Sequence, residues 1–543
     1  MSDDSAERPT VSGMSRRSVL LGVPSTVALA AAGSAAAHAM DGIRLGGYEL
    51  RITTLEVVPP AALASEARIA AGLDAPQFRG DRDPALRPGE NPGQPIFVDT
   101  ALNRRVLIDP ARPAEPRLLP DWIPVPSDQE WDLAVRVVRT RYPEVSADDL
   151  RRPMPPFVVR RGADGRDRRL ICVAVREPSG DSLYRTHLVD LLTSTVLLPA
   201  EGEAVVPSHD SCGIPDQEGC RKVLPEFDAW AFEVRRDGNL IWRFDVLRAR
   251  AGSGLNRSGV EVRRVEYRGA PVLSRGHVPI LNVEYEPNDR GCGPSYRDWF
   301  GDEACFRATG VDFVGGLRLC EQPPVTIVDV HSPDADLGDF RGLAVHATSD
   351  EIVFTSETKA AWYRYVSQWR FSDGGAIRPR IAFGATDNPC TCLAHTHHAY
   401  WRFDFSWPGA SIRAVEENAL GRRRRPLLRE SRLGPRGDGY EVRLSGVGDG
   451  WWRLRAGPDD GTASDYARAD GWILRSDPAE IDDLRGFSAD PDLTAADLDR
   501  FVTGQRVRNE PTTLWYSAHH GHACGCSSTG EFLGPDLLPD LTG

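Results

Sequence analysis

From about residue 220 onward, short runs of aromatic and β-branched residues recur, separated by turns rich in Gly and Asp. Leu240-Ile-Trp-Arg-Phe-Asp-Val, Val260-Glu-Val-Arg-Arg-Val-Glu-Tyr and Val278-Pro-Ile-Leu-Asn-Val-Glu-Tyr come first. Glu351-Ile-Val-Phe, Trp362 to Phe371, Ala376 to Phe383, Tyr440-Glu-Val-Arg-Leu and Trp451-Trp-Arg-Leu-Arg follow. Runs of this kind are strands, and regular spacing of many such strands predicts a mainly β fold, a large antiparallel β-sandwich over 220–543. A segment of that length can bury an ample core. The Gly- and Asp-rich stretch from 433 to 470 reads as long surface hairpins.

Upstream, the pattern changes. Ser15-Arg16-Arg17-Ser18-Val19-Leu20-Leu21, then an Ala-rich apolar stretch and Ala37-His38-Ala39, read as a twin-arginine signal peptide over 1–39, too short and too Ala-rich to favour a membrane span. This predicts export, to the cell envelope or the extracellular space. Residues 40–122, rich in Pro, Asp and Arg, read as a loop-rich segment. Ser127 and Glu130 then form a capping box, with Trp131, Ala134, Val135 and Val138 at helical spacing and Pro143 as the stop. The strand-like runs at Phe157, Leu170 and His187 complete a small α+β domain over 123–208.

Within the sandwich region, His395-Thr-His397 opens an aromatic strand ending at Phe405. Alternation puts both imidazoles on one face, half of a metal site. A second cluster, Trp515-Tyr-Ser-Ala-His519-His520-Gly-His522, supplies a further imidazole, and Trp362-Tyr363-Arg364-Tyr365 is an aromatic strand upstream of both. Two surface histidines are the bland reading of His-x-His alone; the other clusters raise it. His398, His519 and His520 read as supporting or solvent-facing histidines.

In order and spacing, these motifs resemble the copper amine oxidases, from about Asn239 to Leu538. Trp242-Arg-Phe-Asp-Val and Gly259-Val-Glu-Val-Arg-Arg-Val-Glu-Tyr look like the opening strands of that family's catalytic domain. Tyr363-Arg364-Tyr365…Trp369-Arg-Phe371…Gly375 falls on its tyrosine motif, His395-Thr-His397 on its His-x-His, and His522 on its last histidine. The resemblance implies a catalytic-domain-like sandwich behind a cystatin-like α+β domain, copper(II) on His395, His397 and His522, and topaquinone made from Tyr363. It implies oxidation of a primary amine by oxygen to an aldehyde, ammonia and hydrogen peroxide, with Tyr285 bonded to the quinone and an aspartate as proton acceptor. Spacing from Tyr285 favours Asp298 as that base; position after Phe300 favours Asp302; Asp298 is preferred. The family's dimers imply a homodimer here. Two positions depart from the motif: its Asn is Trp362, and its Asp or Glu is Arg364.

Of the 65 basic residues, all but Lys222 and Lys359 are arginine, and the formal charge is −13, which argues against a nucleic-acid partner. No segment after the signal is apolar enough to span a membrane. The ten cysteines include Cys390-x-Cys392 and Cys524-x-Cys526, flanking the histidine motifs; disulfides tying the two segments are expected ahead of a thiolate metal site. Two rival functions stay open: a copper-binding protein on the same fold with an unprocessed tyrosine, and a metal hydrolase or oxygenase using the histidines with Asp298 or Glu303.

Overall fold

The computed structural model describes residues 39–55, 86–88, 96–99, 104–109, 112–119, 128–146, 149–151, 157–161, 167–176, 184–191, 193–198, 227–253, 259–286, 295–298, 302–314, 316–329, 338–360, 362–386, 389–405, 413–418, 424–433, 440–447, 450–477, 480–481, 483, 495–522 and 532–540. The signal peptide expected over 1–39 lies outside them but for Ala39, as do Cys212, Cys220, Cys292, Cys524 and Cys526. No helix among the described residues is long and apolar enough to cross a membrane.

The chain is mainly β, and two large sheets face each other. In the first, the strand order by residue is 39–45, 48–54, 229–236, 239–247, 261–267, 270–285, 395–404, 512–522, 471–475 and 431–433, with Ser295–Asp298 added to the side of Ala270–Tyr285. In the second it is 310–314, 317–320, 343–347, 351–360, 363–372, 377–385, 536–540, 450–455, 440–447, 413–418 and 424–427, with Asp302–Glu303 pairing Glu351–Ala360. All pairs are antiparallel except Leu317–Cys320 with Leu343–Ala347. Inward side chains of both sheets form one core. Phe244 of the first stacks on Phe371 of the second at 4.2 Å, and Phe354 meets Phe232 edge-on at 4.9 Å. Trp242 Nε1–H donates across the gap to the Ser372 carbonyl, so even the buried indole nitrogen has an acceptor.

Within the segment 40–122, expected to be loop-rich, the described residues lie mostly in strands. Ala39–Leu45 and Tyr48–Thr54 extend the first sheet beyond Ala229–Arg236. In the second of these strands Tyr48, Leu50 and Ile52 are buried while Glu49 and Arg51 are exposed, a period-2 pattern diluted by charge. Leu86–Pro88, Ile96–Asp99, Arg104–Asp109 and Arg112–Leu119 make a four-stranded antiparallel sheet; Pro88, Pro113 and Pro116 within it weaken the strand pattern in the sequence. The expectation of surface hairpins over 433–470 is corrected in part: a hairpin is present, but its inward side chains are buried. Tyr440–Val447 and Gly450–Arg455 pair within the second sheet, and Val442, Leu444, Trp452 and Leu454 are buried in the inter-sheet core.

The helix runs Asp128–Arg141. Ala134 and Val138 pack against Ile171, Val173 and Val189 of a five-stranded antiparallel sheet, and Arg139 and Arg141 in its last turn complement the helix dipole.

Phe244→Ala opens a cavity between the sheets. We expect a loss of about 3–5 kcal/mol in equilibrium unfolding; a loss below about 1 kcal/mol would mean the aromatic stack does not join the sheets.

Candidate active site

Three neighbouring strands of the first sheet set the site. Ladder pairing puts Tyr285 opposite His395, and His395 opposite His522. Two residues along, Val283 faces His397 and His397 faces His520. Two-residue alternation therefore presents His395, His397, His520 and His522 on one side of the sheet. Ring centroids lie 5.0 Å apart for His395 and His397, and 4.9 Å for His395 and His522. His520, read from sequence as supporting or solvent-facing, shares this row, because it stands two residues before His522 on the same strand.

The second sheet presents Tyr363, Tyr365 and Phe383 to these rings. Phe383 stacks on His397 at 3.6 Å and meets His520 and His522 edge-on. Donor logic fixes the imidazoles. His395 Nδ1–H donates to the Leu393 carbonyl at 2.6 Å, which leaves Nε2 to accept from the Tyr363 hydroxyl at 2.9 Å. Tyr365 O–H donates to Asp298 Oδ2 at 2.5 Å. Its oxygen then accepts from His397 Nδ1–H at 3.1 Å, and His397 Nε2 is left buried without a hydrogen bond. Two Nε2 lone pairs thus point into the site, each held by a bond at the opposite ring nitrogen, the arrangement that orients metal-binding histidines. Tyr285 and Tyr363 hydroxyls are 3.4 Å apart.

Among the described residues, no three His, Cys, Asp or Glu side chains close on a common point. The imidazoles nonetheless suit an ion. With metal–nitrogen bonds of about 2 Å, imidazole centroids stand roughly 4.5–5 Å apart around one centre, the spacing seen here. The buried, unpartnered Nε2 of His397 and the all-nitrogen donor set fit copper, among other first-row ions.

Burial dominates the electrostatics. It pushes Asp298 up from 3.8 to about 7, against the opposing donation from Tyr365. It pushes His395 down to about 4 and His397 well below the ordinary imidazole range, and raises the Tyr285, Tyr363 and Tyr365 phenols. A carboxyl poised near neutrality beside aromatic hydroxyls suits proton transfer.

Of the two candidate bases, Asp298 has its carboxylate hydrogen-bonded to Tyr365. Asp302 pairs with Lys359 in the ladder, and Lys359 pairs with Arg364. Glu303 is held in a buried ion pair by Arg248. His398 and His519 face the other side of the sheet, bonded Nδ1 to Nδ1 at 2.8 Å. Cys305 and Cys390 each belong to a disulfide, and Cys390 packs beside Tyr285 and Tyr296. Tyr365, quoted in the motif but given no role from sequence, is the residue that joins the carboxylate to a histidine.

No family model and no curated protein sequence matches the chain. Among solved structures, it is similar to a copper-containing benzylamine oxidase from Hansenula polymorpha, at 13% identity over 93% of each chain with a TM-score of 0.49. It is also similar to a lysyl oxidase from Pichia pastoris, at 12% identity over 90% of this chain and 84% of that one, TM-score 0.45. An amine oxidase from Aspergillus nidulans follows at 13%, 91% and 84%, TM-score 0.41. At these identities and scores, the functional reading has to stand on the residues of the site.

Two titrations check the site in metal-free protein. Removing the donor to the charged carboxylate raises its pKa, so Tyr365→Phe should move the Asp298 carboxyl infrared titration above about 7; an unmoved midpoint would separate the two residues. Because the folded pKa is raised, the stability Asp298 contributes is full below about pH 4 and is lost as pH rises through about 7. Asp298→Asn should therefore gain stability relative to the parent protein across that window in thermal melts, and a pH-independent difference would contradict a buried, raised carboxyl.

Proposed function

We propose that this protein is an exported copper-dependent oxidase of primary amines, with Tyr363 as the precursor of a quinone. The observation that carries the reading is the Tyr363 hydroxyl bonded to His395 Nε2 within a row of imidazoles, with Asp298 one hydroxyl away. In this reading His395, His397 and His522 hold the ion. With dioxygen, bound copper would supply the oxidising chemistry that converts the Tyr363 ring to a quinone, the carbonyl that takes up an amine. Overall, RCH2NH2, O2 and H2O give RCHO, NH3 and H2O2.

The chain's own groups account for the proton traffic. The Asp298 carboxylate takes the proton from the carbon beside the amine nitrogen, and burial gives it the basicity to do so near neutral pH. Tyr365 O–H holds that carboxylate in place and links it to His397. Tyr285 O–H faces the Tyr363 oxygen and orients it. Phe383, Tyr296 and Trp362 keep the surroundings apolar, which strengthens each of these interactions. The twin-arginine pattern and the disulfides at Cys305 and Cys390 fit an oxidising compartment outside the cytoplasm.

One observation favours a second reading, a copper-binding protein whose tyrosine is never processed. The Tyr363 hydroxyl occupies His395 Nε2, the nitrogen an ion needs, and bulky Trp362 packs beside the tyrosine ring.

Protein loaded with copper in air should colour and form a phenylhydrazine adduct, and Tyr363→Phe should abolish both. Copper uptake with no adduct would leave the second reading. In the oxidase, Asp298→Asn should keep the adduct but lower turnover by about 10²–10⁴-fold. Turnover of the parent enzyme should rise with pH through about 7 as Asp298 loses its proton; a flat profile with full Asp298→Asn activity would remove the carboxylate from the reaction.

A further inference from the structure

The strands that carry the histidine row have a second polar row on their opposite face. Asn282 pairs with His398 in the ladder, and His398 pairs with His519. All three are buried. Alternation sends them to the side away from Tyr363, one residue along from Val283, His397 and His520. The two imidazoles lie 5.1 Å apart between ring centroids and turn Nδ1 towards Nδ1 at 2.8 Å. Their outer nitrogens face carboxylates: His398 Nε2 is 3.5 Å from Glu284 Oε2, and His519 Nε2 is 3.4 Å from Asp470 Oδ1. Among the described residues, the Asn282 amide finds no hydrogen-bond partner for its oxygen or its nitrogen.

Donor logic constrains this pair. An ionised carboxylate only accepts, so the ring nitrogen that faces it carries the hydrogen. With Nε2–H outward on both rings, each Nδ1 holds a bare lone pair, and the two lone pairs confront each other. A hydrogen bond between them needs one ring to turn its hydrogen inward, which sets a bare Nε2 lone pair against a carboxylate. A cation between the two Nδ1 atoms satisfies both ends at once. Nitrogens bound at about 2.0–2.1 Å stand about 2.9 Å apart at right angles and about 3.3 Å apart in a tetrahedron, so the rings need move only a few tenths of an ångström. An imidazole whose outer nitrogen faces a carboxylate is the common setting of a metal-binding histidine, and here it occurs twice, face to face. The two carboxylates carry the charge that balances a divalent ion. Asn282, beside His398 in the row, has an amide oxygen to add as a neutral third donor.

We propose that His398 Nδ1, His519 Nδ1 and the Asn282 amide oxygen form a second metal site, for a divalent first-row ion such as zinc, on the far face from His395, His397 and His522. An ion there clips together the three strands whose other faces carry the first row. The proposal does not rest on the oxidase reading. The test uses full-length protein stripped of metal with a chelator and dialysed against zinc(II), with zinc per chain counted by mass spectrometry. The parent should hold two ions and His398→Gln/His519→Gln one. His397→Gln/His522→Gln should keep one ion, lost when the His398→Gln and His519→Gln changes are added. Equal zinc in the parent and in His398→Gln/His519→Gln would overturn the proposal. A parent with a single zinc that His398→Gln/His519→Gln removes and His397→Gln/His522→Gln keeps would support the second site and sink the metal reading of the first. Should His398→Gln/His519→Gln not fold, zinc-soaked crystals of the parent decide. Anomalous density within about 2.3 Å of both Nδ1 atoms is expected, and its absence there would overturn the proposal.

Discussion

The register between three adjacent strands is the constraint on which the site depends. Tyr285, His395 and His522 are one row of the ladder, and Val283, His397 and His520 the next. The backbone hydrogen bonds that hold the sheet together therefore also hold the imidazoles. A slip of one residue would send every one of these side chains to the far face. That face is itself specified: Ile280, Tyr400, Trp472 and Trp515 bury there against Ala496 and Leu498, and the buried Arg402 is tied to Glu480 and Thr513. With both faces covered, neither parity can be exchanged for the other, and the histidine row inherits the rigidity of the core.

Packing the second sheet over this row turns position into chemistry. Phe354 and Phe371 fix the distance between the sheets, and the same strand that carries Phe371 brings Tyr363 and Tyr365 to the histidines. Water is excluded, so ionisation is disfavoured for each group by its own burial. The effects have opposite signs for acids and bases: the carboxyl rises to about 7 while the His395 imidazole falls to about 4. In the proposed oxidase, neutral imidazoles would hold the ion while the raised carboxyl took the proton. Asp298 is kept in place by its neighbour. Arg297, pointing the other way along a four-residue strand, is locked in a buried ion pair with Asp483 and bonded to the Ala495 carbonyl.

The sandwich was legible because its strands carry uninterrupted aromatic and β-branched runs, as in Trp362–Phe371 and His395–Phe405. The strands at 39–54 and 86–119 were not, because charged residues and prolines stand where the alternation should show. Composition misled at 433–470 as well: Gly and Asp dominate the turns there, while four core residues are scattered between them. At the site, proximity of the His395, His397 and Tyr363 segments could be anticipated from motif order, since each segment reads as a strand of the same fold. The face of His520 follows from its two-residue spacing to His522, whereas its place opposite His397 depends on pairing across strands. Nor could the part played by Tyr365: a hydroxyl that bridges Asp298 and His397 belongs to three strands far apart in the chain.

Strand parity also settles the weight of the two motif departures. Arg364 lies between Tyr363 and Tyr365, so its side chain leaves the strand on the opposite face, in the row of Lys359 and Gly384. The reversal of charge there is a change behind the sheet, separated from the histidines by the strand itself. Trp362 is different. It sits at the end of the strand, half-buried among Tyr285, Tyr296 and Cys390, on the side where Tyr363 meets His395. A bulky indole there takes up room that a small amide would leave open, and it brings a donor but no acceptor. In this chain the proton of Tyr363 has His395 as its acceptor, and the oxygen has the Tyr285 hydroxyl facing it. The asymmetry favours a ring that gives up its hydrogen towards the histidines and keeps its oxygen fixed on the other side.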